Sequence, residues 1–165
     1  HGESLLPLIR GEQEAVHDTV IYGVFGRQVN ICDGRYTYFR SAVRADNQPL
    51  CLYTAMPTTI WHYWDQDHLT DISSIQAGPF LSYTEYPVFR IPNTITKFAN
   101  ASQDFAERYE VVGQSMLFDL QHDPQQEHPL DDPALEQQMC MKLAQAMKRH
   151  DSPEEQYIRL GLERP

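Results

Sequence analysis

The Asp33-Gly34 pair constrains the fold of this chain more than any other short feature of its sequence. Runs rich in β-branched and aromatic residues lie on both sides of it, QVNIC before the pair and RYTYFRSAV after it. Because both central positions of the commonest tight turn require positive φ, an Asp-Gly pair between two such runs is a strong signal for a β-hairpin. The sequence therefore predicts an antiparallel hairpin at Gln28–Val43.

Other runs of similar composition predict further strands. These strands are Asp18–Phe25, Pro49–Pro57, an edge strand at Val88–Ile91 and a second hairpin spanning Arg108–Leu120. The run at Val88–Ile91 is assigned to an edge because Pro87 and Pro92 flank it and proline cannot donate to a sheet ladder. The strands together predict a small antiparallel sheet.

In the C-terminal third, the apolar residues recur at the three- and four-residue steps of an amphipathic helix. Asp132 can cap this helix, and Pro133 can occupy its first position, where no backbone N–H is needed. The apolar positions are Leu135, Met139, Leu143, Ala146 and Met147. The helix is expected to end near His150–Pro153, with a further helical turn at Glu154–Leu162. The prediction for residues 1–165 is one α+β domain, a small antiparallel sheet of about four strands covered by this C-terminal helix.

Length and charge exclude several classes of partner. With 165 residues, 41% of them hydrophobic, the chain is long enough to bury a core. A formal net charge of -10 and scattered Lys and Arg residues argue against a nucleic-acid partner. No apolar run approaches the roughly 20 residues needed to cross a bilayer, so a membrane partner is not expected. The chain opens at His1 rather than at Met, which indicates a piece of a longer polypeptide and leaves the localisation of the parent open.

The three cysteines, Cys32, Cys51 and Cys140, follow no zinc-binding or disulfide pattern in their spacing. They are interpreted as reduced thiols that pack as small hydrophobic residues. Reduced cysteines suggest a cytoplasmic protein.

Three segments carry a recognisable pattern, in order along the chain. They are the opening Gly2–Gly11 (GESLLPLIRG), the pair Val24–Gly26 and Asp33–Tyr38 (DGRYTY), and the closing Ser115–Pro133 (SMLFDLQHDPQQEHPLDDP). Together they resemble the C-terminal region of type I sulfatases, members of the alkaline-phosphatase-like superfamily. In the closing segment the matching residues are Leu117, Phe118, Asp119, Leu120, Asp123, Pro124, Glu127 and Leu130, while Pro129 stands where the family usually has Asn.

The resemblance implies a sulfuric ester hydrolase whose nucleophile is a formylglycine, made from the Cys or Ser of a Cys/Ser-x-Pro/Ala-x-Arg motif. The metal of the family is usually calcium. None of the three cysteines of this chain sits in such a motif. In the family, the nucleophile and the metal ligands belong to a larger N-terminal α/β domain, which this chain does not include. The resemblance thus predicts no catalytic residue, metal ligand or cofactor in this chain. The expected partner is the catalytic domain of the same polypeptide, with its calcium and formylglycine, and the substrate of the intact enzyme is a sulfate ester.

An aromatic and histidine-rich segment supplies the candidate site residues. In an intact sulfatase, loops of this region border the substrate cleft, and such a border suits an aromatic or sugar ring. The rim candidates are Trp61, His62, Trp64 and His68. Packing against the catalytic domain is the alternative interpretation of these residues. His62, Asp65, Asp67 and His68 could also hold a transition metal, but their spacing matches no helical ligand pair, and metal binding is not favoured.

The closing segment is expected to be structural. Phe118 or Leu120 should pack against the helix at Leu135 and Met139, and Asp123-Pro124 should form a turn into that helix. Two alternative functions stay open. The chain could be a non-enzymatic binding module that reuses this fold, or the C-terminal part of a related phosphate- or phosphonate-ester hydrolase.

Overall fold

Two antiparallel sheets and three α-helices make up the part of the chain that the computed structural model describes, residues 3–56, 72–92 and 113–165. In chain order the elements are α1 (Leu6–Ile9), β1 (Val20–Gly23), β2 (Val29–Cys32), β3 (Tyr36–Arg40), β4 (Cys51–Thr54), a 3-10 turn (Ile72–Ser74), β5 (Gln76–Gly78), β6 (Val88–Pro92), β7 (Met116–Asp119), α2 (Pro133–Arg149) and α3 (Glu154–Leu160). One sheet has the strand order β1-β2-β3-β7, and the other has the order β4-β6-β5. The predicted α+β class with a four-stranded antiparallel sheet is confirmed.

The hairpin predicted around Asp33-Gly34 is confirmed, although its turn is placed one residue later than expected. Asp33 forms the last backbone pair, with its N–H donating to the carbonyl oxygen of Tyr36 at 3.1 Å. The central turn residues are therefore Gly34 and Arg35, and only Gly34 has a positive φ, +93°. A glycine at the first central position is the requirement of a type II′ turn. The Asp33 side chain then accepts the backbone N–H groups of Arg35 and Tyr36, at 3.1 and 2.8 Å.

The long helix α2 begins as predicted. The Asp132 side chain accepts hydrogen bonds from the backbone N–H groups of Ala134 and Leu135, at 3.1 and 3.0 Å, and Pro133 occupies the first turn. The predicted further turn is α3, which ends at Gly161 in a left-handed conformation, φ +61°. In the described part of the chain, no helix is long and apolar enough to cross a membrane.

The apolar face of α2 covers the four-stranded sheet, as predicted, and α3 closes the core at one side. The buried residues of this core are Ile31, Tyr38, Leu117, Met139, Leu143, Ala144, Ala146, Met147, Tyr157 and Leu160. Polar links hold the layers in register. The Tyr38 hydroxyl donates to Glu136 Oε1 on α2 at 2.5 Å and accepts from Arg40 Nη1 at 3.0 Å. Arg40 Nε in turn donates to the carbonyl oxygen of Leu160, so one cluster joins β3, α2 and α3.

The prediction that Phe118 or Leu120 packs against α2 is wrong, because β7 presents its other face to the helix. Leu117 lies opposite Tyr38 in the sheet and belongs to the core under α2. Successive side chains of a strand point to opposite faces. Phe118 is accordingly buried on the far face, where its ring meets the ring of Phe39 edge-on at 5.7 Å. Leu120 follows the last strand residue and is half-buried.

The three-stranded sheet was not predicted as a separate unit. The strand predicted within Pro49–Pro57 is its β4, but the assignment of Val88–Ile91 to an edge is wrong, since β6 lies between β4 and β5. Both prolines lie where a central strand tolerates them. Pro87 precedes the strand and Pro92 is its last residue, so the interior of β6 keeps its N–H donors. The partner β5 (QAG) was missed because it is three residues long and contains no β-branched or aromatic residue.

The strand β7 was predicted as half of a hairpin with RYEVV, residues 108–112. Those residues lie outside the described part of the chain, so that pairing stays a prediction. The neighbour of β7 in the described sheet is β3, with Tyr36 opposite Asp119 and Phe39 opposite Met116. Two neighbouring strands are thus joined by a long connection that contains the whole three-stranded sheet.

Candidate functional site

The rim candidates Trp61, His62, Trp64 and His68 lie outside the described residues, as do Asp65 and Asp67 of the metal interpretation. Their role stays a prediction. The described part of the chain nevertheless contains most of the segments that resemble sulfatases.

Two of these segments meet at Asp119. Its carboxylate is 7% exposed and accepts the guanidinium of Arg35, with Nη2 at 2.9 Å and Nε at 3.3 Å from Oδ2. His122 Nδ1 lies 2.9 Å from the same oxygen, and the backbone N–H of Gln121 donates to Oδ1 at 3.0 Å. These hydrogen bonds hold the pKa of Asp119 well below its usual range. The bonds from Arg35 contribute most, and the bond from His122 contributes next. These hydrogen bonds therefore favour the ionised form of Asp119.

The turn after β7 is built by a second carboxylate. Asp123 accepts the backbone N–H groups of His128 at 2.8 Å and Glu127 at 3.2 Å. The bond from His128 makes the largest contribution to lowering the pKa of Asp123. The N–H of Asp123 donates to the carbonyl oxygen of Asp119 at 2.8 Å. The closing segment is thus a strand followed by a hydrogen-bonded turn, and its residues Asp119 and Asp123 accept hydrogen bonds from the chain's own donors.

None of the cysteines forms a disulfide, which agrees with their interpretation as reduced thiols. Cys51 is buried, and burial raises the pKa of its thiol. A raised pKa keeps the thiol protonated and lowers its reactivity as a nucleophile. Cys32 and Cys140 are half-buried. The Cys140 thiol lies 3.7 Å from the Tyr38 hydroxyl.

A polar cleft of about 290 Å³ lies between the start of β1, the hairpin turn and the C-terminal half of α2. Its lining residues are Asp18, Thr19, Asp33, Lys142, Gln145 and Arg149. Lys142 Nζ lies 2.5 Å from Asp33 Oδ2. Burial opposes ionisation of Asp33, but the hydrogen bond from Lys142 and those from the backbone outweigh it and keep its pKa below the usual value. Two acidic and two basic side chains balance, so the cleft has no charge that selects an anion or a cation.

Sequence reasoning missed a buried polar cluster that ties the three-stranded sheet to α3. Glu155 is 8% exposed, and its carboxylate accepts the hydroxyl of Tyr53 on β4. Arg90 Nε on β6 lies 3.9 Å from the same carboxylate oxygen. Burial and then the bond to Glu155 raise the pKa of Tyr53, which stays a neutral donor. No local pattern links these residues, since they are far apart in sequence.

Within residues 3–56, 72–92 and 113–165, no three His, Cys, Asp or Glu side chains are placed to hold a metal ion together. No protein-family model matches the chain, and no curated protein matches it either. In the described part of the chain, the carboxylates of Asp33, Asp119 and Glu155 each accept a hydrogen bond from another side chain.

Proposed function

We propose that this chain is the C-terminal portion of a sulfatase, a sulfuric ester hydrolase, and that it supplies structure and part of the cleft border rather than the chemistry. One observation carries the proposal. Arg35, in the segment DGRYTY, binds Asp119, in the closing segment, although the two are 84 positions apart. Each segment was singled out by its own resemblance to the family. Contact between their matching residues supports the view that they form one inherited unit.

On this proposal, the reaction belongs to a catalytic domain of the same polypeptide. That domain would supply the formylglycine nucleophile and the calcium that polarises the sulfate ester. A surface of the described chain suits such a partner. The short helix α1 buries none of its residues, and Leu5, Leu6 and Ile9 are 57%, 54% and 76% exposed. Apolar side chains that cluster on a surface favour packing against another domain.

Two other functions fit the same fold. A phosphate- or phosphonate-ester hydrolase of the same superfamily would share the supporting frame and differ in the catalytic domain. A non-enzymatic binding module would lack the nucleophile motif altogether. The closing segment favours the sulfatase, because it resembles that family in particular.

The decisive experiment uses the longer polypeptide, in which residues 1–165 follow the sequence encoded upstream of His1. Mass spectrometry of its tryptic peptides should find a formylglycine, and the protein should hydrolyse 4-nitrophenyl sulfate in a calcium-dependent manner. The isolated 165-residue chain should show no turnover. Faster hydrolysis of 4-nitrophenyl phosphate than of the sulfate would favour the related hydrolase. An upstream sequence without the nucleophile motif would favour the binding module.

The proposed rim is tested in the same intact protein. His62→Ala and Trp64→Ala should lower kcat/KM for a bulky aryl or sugar sulfate while leaving the urea unfolding midpoint unchanged. His128→Ala is the matched control, since its exposed imidazole lies in the closing turn. Equal losses in all three variants, or a lowered unfolding midpoint in the first two, would favour packing over a rim.

A further inference from the structure

The polar cleft between β1, the hairpin turn and α2 has one side that is fixed by the Asp33–Lys142 pair. The Asp33 carboxylate accepts two backbone N–H groups of its own turn and Lys142 Nζ, which lies at 2.5 Å. Its side chain is 12% exposed. Val20 lies opposite Cys32 in the sheet, so the preceding residue, Thr19, reaches the level of Asp33. This side of the cleft is therefore preorganised for a ligand.

A buried polar atom on the same side of the cleft lacks a hydrogen bond. Thr19 Oγ1 is buried, and none of the described residues offers it a partner. A buried hydroxyl without a partner is destabilising, so such groups are rare in folded proteins. Because Thr19 lines the cleft, a polar ligand bound there can supply the missing hydrogen bond.

Two opposite charges that face the cleft are also available. Asp18 and Arg149 both line it, and neither side chain forms a hydrogen bond or an ion pair with the described residues. Arg149 lies seven residues beyond Lys142 on α2, which is about 10 Å of helix at 1.5 Å per residue, and so it is not drawn to Asp33. Gln145 lines the cleft between these two helix positions. A carboxylate and a guanidinium thus face one cavity of about 290 Å³.

We propose that this cleft binds a small aliphatic amino acid in its zwitterionic form, with the ammonium group at Asp18 and the carboxylate at Arg149. A guanidinium can bind a carboxylate through two parallel hydrogen bonds, and bonds between charged groups are stronger than neutral ones. Thr19 and Gln145 add neutral hydrogen bonds. The balanced charge of the cleft gives a simple anion or cation no advantage, whereas a molecule with both charges is attracted at both ends. The cavity volume lies at the lower end of the range for ligand pockets, which suits a ligand of few atoms.

The inference goes beyond the proposed function, since it requires no sulfatase activity. Its test titrates the isotope-labelled 165-residue chain with glycine, β-alanine, γ-aminobutyrate and δ-aminovalerate, and follows the amide chemical shifts by nuclear magnetic resonance. At least one member of this series should cause saturable shifts at Thr19 and Gln145. Acetate and methylammonium carry only one of the two charges, so each should bind about tenfold more weakly than the best amino acid, or weaker still.

Variants of the lining residues show whether the ligand occupies the cleft. Asp18→Asn and Arg149→Gln should each weaken binding by about tenfold or more, because each removes a bond between charged groups. Asp131→Asn and Lys148→Gln are the matched controls, since they make the same changes of charge outside the cleft lining, and they should bind like the wild type. Thr19→Val should weaken binding. Without ligand it should raise the urea unfolding midpoint, because it removes a buried hydroxyl that has no partner among the described residues.

Three results would overturn the proposal. One is the absence of saturable shifts with every member of the series, in a chain whose amide spectrum shows that it is folded. Another is binding of acetate or methylammonium as tight as that of the best amino acid, which would mean simple ion pairing. The third is an affinity that stays unchanged in Asp18→Asn and Arg149→Gln, or in Thr19→Val, which would place the ligand elsewhere.

Discussion

The face that β7 presents to α2 can be tested by a double-mutant cycle. Leu117 is 2% exposed and shares the core with Met139, which is fully buried. Truncation of either residue to Ala should cost about 2–5 kcal/mol of unfolding free energy, the range for large-to-small changes in a core. Phe118 is 3% exposed, so Phe118→Ala should cost about as much, roughly 3–5 kcal/mol. Single variants therefore do not distinguish the two faces.

The coupling energies of two double-mutant cycles distinguish the two faces. Leu117→Ala and Met139→Ala alter one shared cluster, so their effects should deviate from additivity by about 0.5–3 kcal/mol. Phe118 and Met139 lie on opposite faces of the sheet, so their effects should add to within about 0.5 kcal/mol. Urea unfolding followed by far-ultraviolet circular dichroism measures each corner of both cycles. Strong coupling of Phe118 with Met139, without coupling of Leu117, would mean that the strand is turned over.

Three further predictions concern a cap, a charge and a glycine. Asp132→Ala should lower the free energy of urea unfolding by about 1 kcal/mol, because two helix N–H groups lose their acceptor. Asp131→Ala is the control and should change it little, so equal costs would contradict the cap. The pKa of Asp119 is lowered in the folded state, so its contribution is complete above the unfolded value of about 3.9 and is lost as the pH falls towards the folded value. The melting temperature of the wild type should then fall more steeply below about pH 4 than that of Asp119→Asn, and parallel slopes would refute this. Gly161→Ala should lower the unfolding free energy by more than about 1 kcal/mol, since φ is +61° and a Cβ would lie 2.6 Å from Val43 Cγ1. Adding Val43→Ala should recover part of this loss in the same unfolding assay.

The parts of the fold that were predicted correctly are those whose signals are local. Asp132 caps α2 and Pro133 is its first residue. The apolar residues that recur with the helix period come directly after them in the sequence. Gly34 predicts a turn from its immediate sequence neighbours alone. The errors concern relations between distant residues. The sequence of a four-residue strand such as β7 is compatible with either face toward the core. Which face is buried depends on the residue that lies opposite Tyr38 in the sheet.

The polar clusters were unpredictable for the same reason. Nothing near Glu155 in the sequence indicates that a tyrosine from β4 will donate to it, or that burial will be tolerated there. The Arg35–Asp119 contact was not predicted either, although both residues lie in segments that were singled out for their resemblance to one family. For the rim segment, resemblance is the only support, and its four candidate residues stay predictions.

The position of the three-stranded sheet bears on how specificity could be organised. β3 and β7 are neighbours in one sheet, and neighbouring antiparallel strands need only a short turn between them. The long connection from Arg40 to Met116 is therefore not required for the four-stranded sheet or for the packing of α2. Its described residues are bonded to α3 at the buried carboxylate of Glu155. The rim candidates at residues 61–68 fall within this connection in the sequence. If they border the substrate cleft of a sulfatase, then the segment that contacts substrate can change in length and composition while the Arg35–Asp119 contact and the core under α2 stay intact.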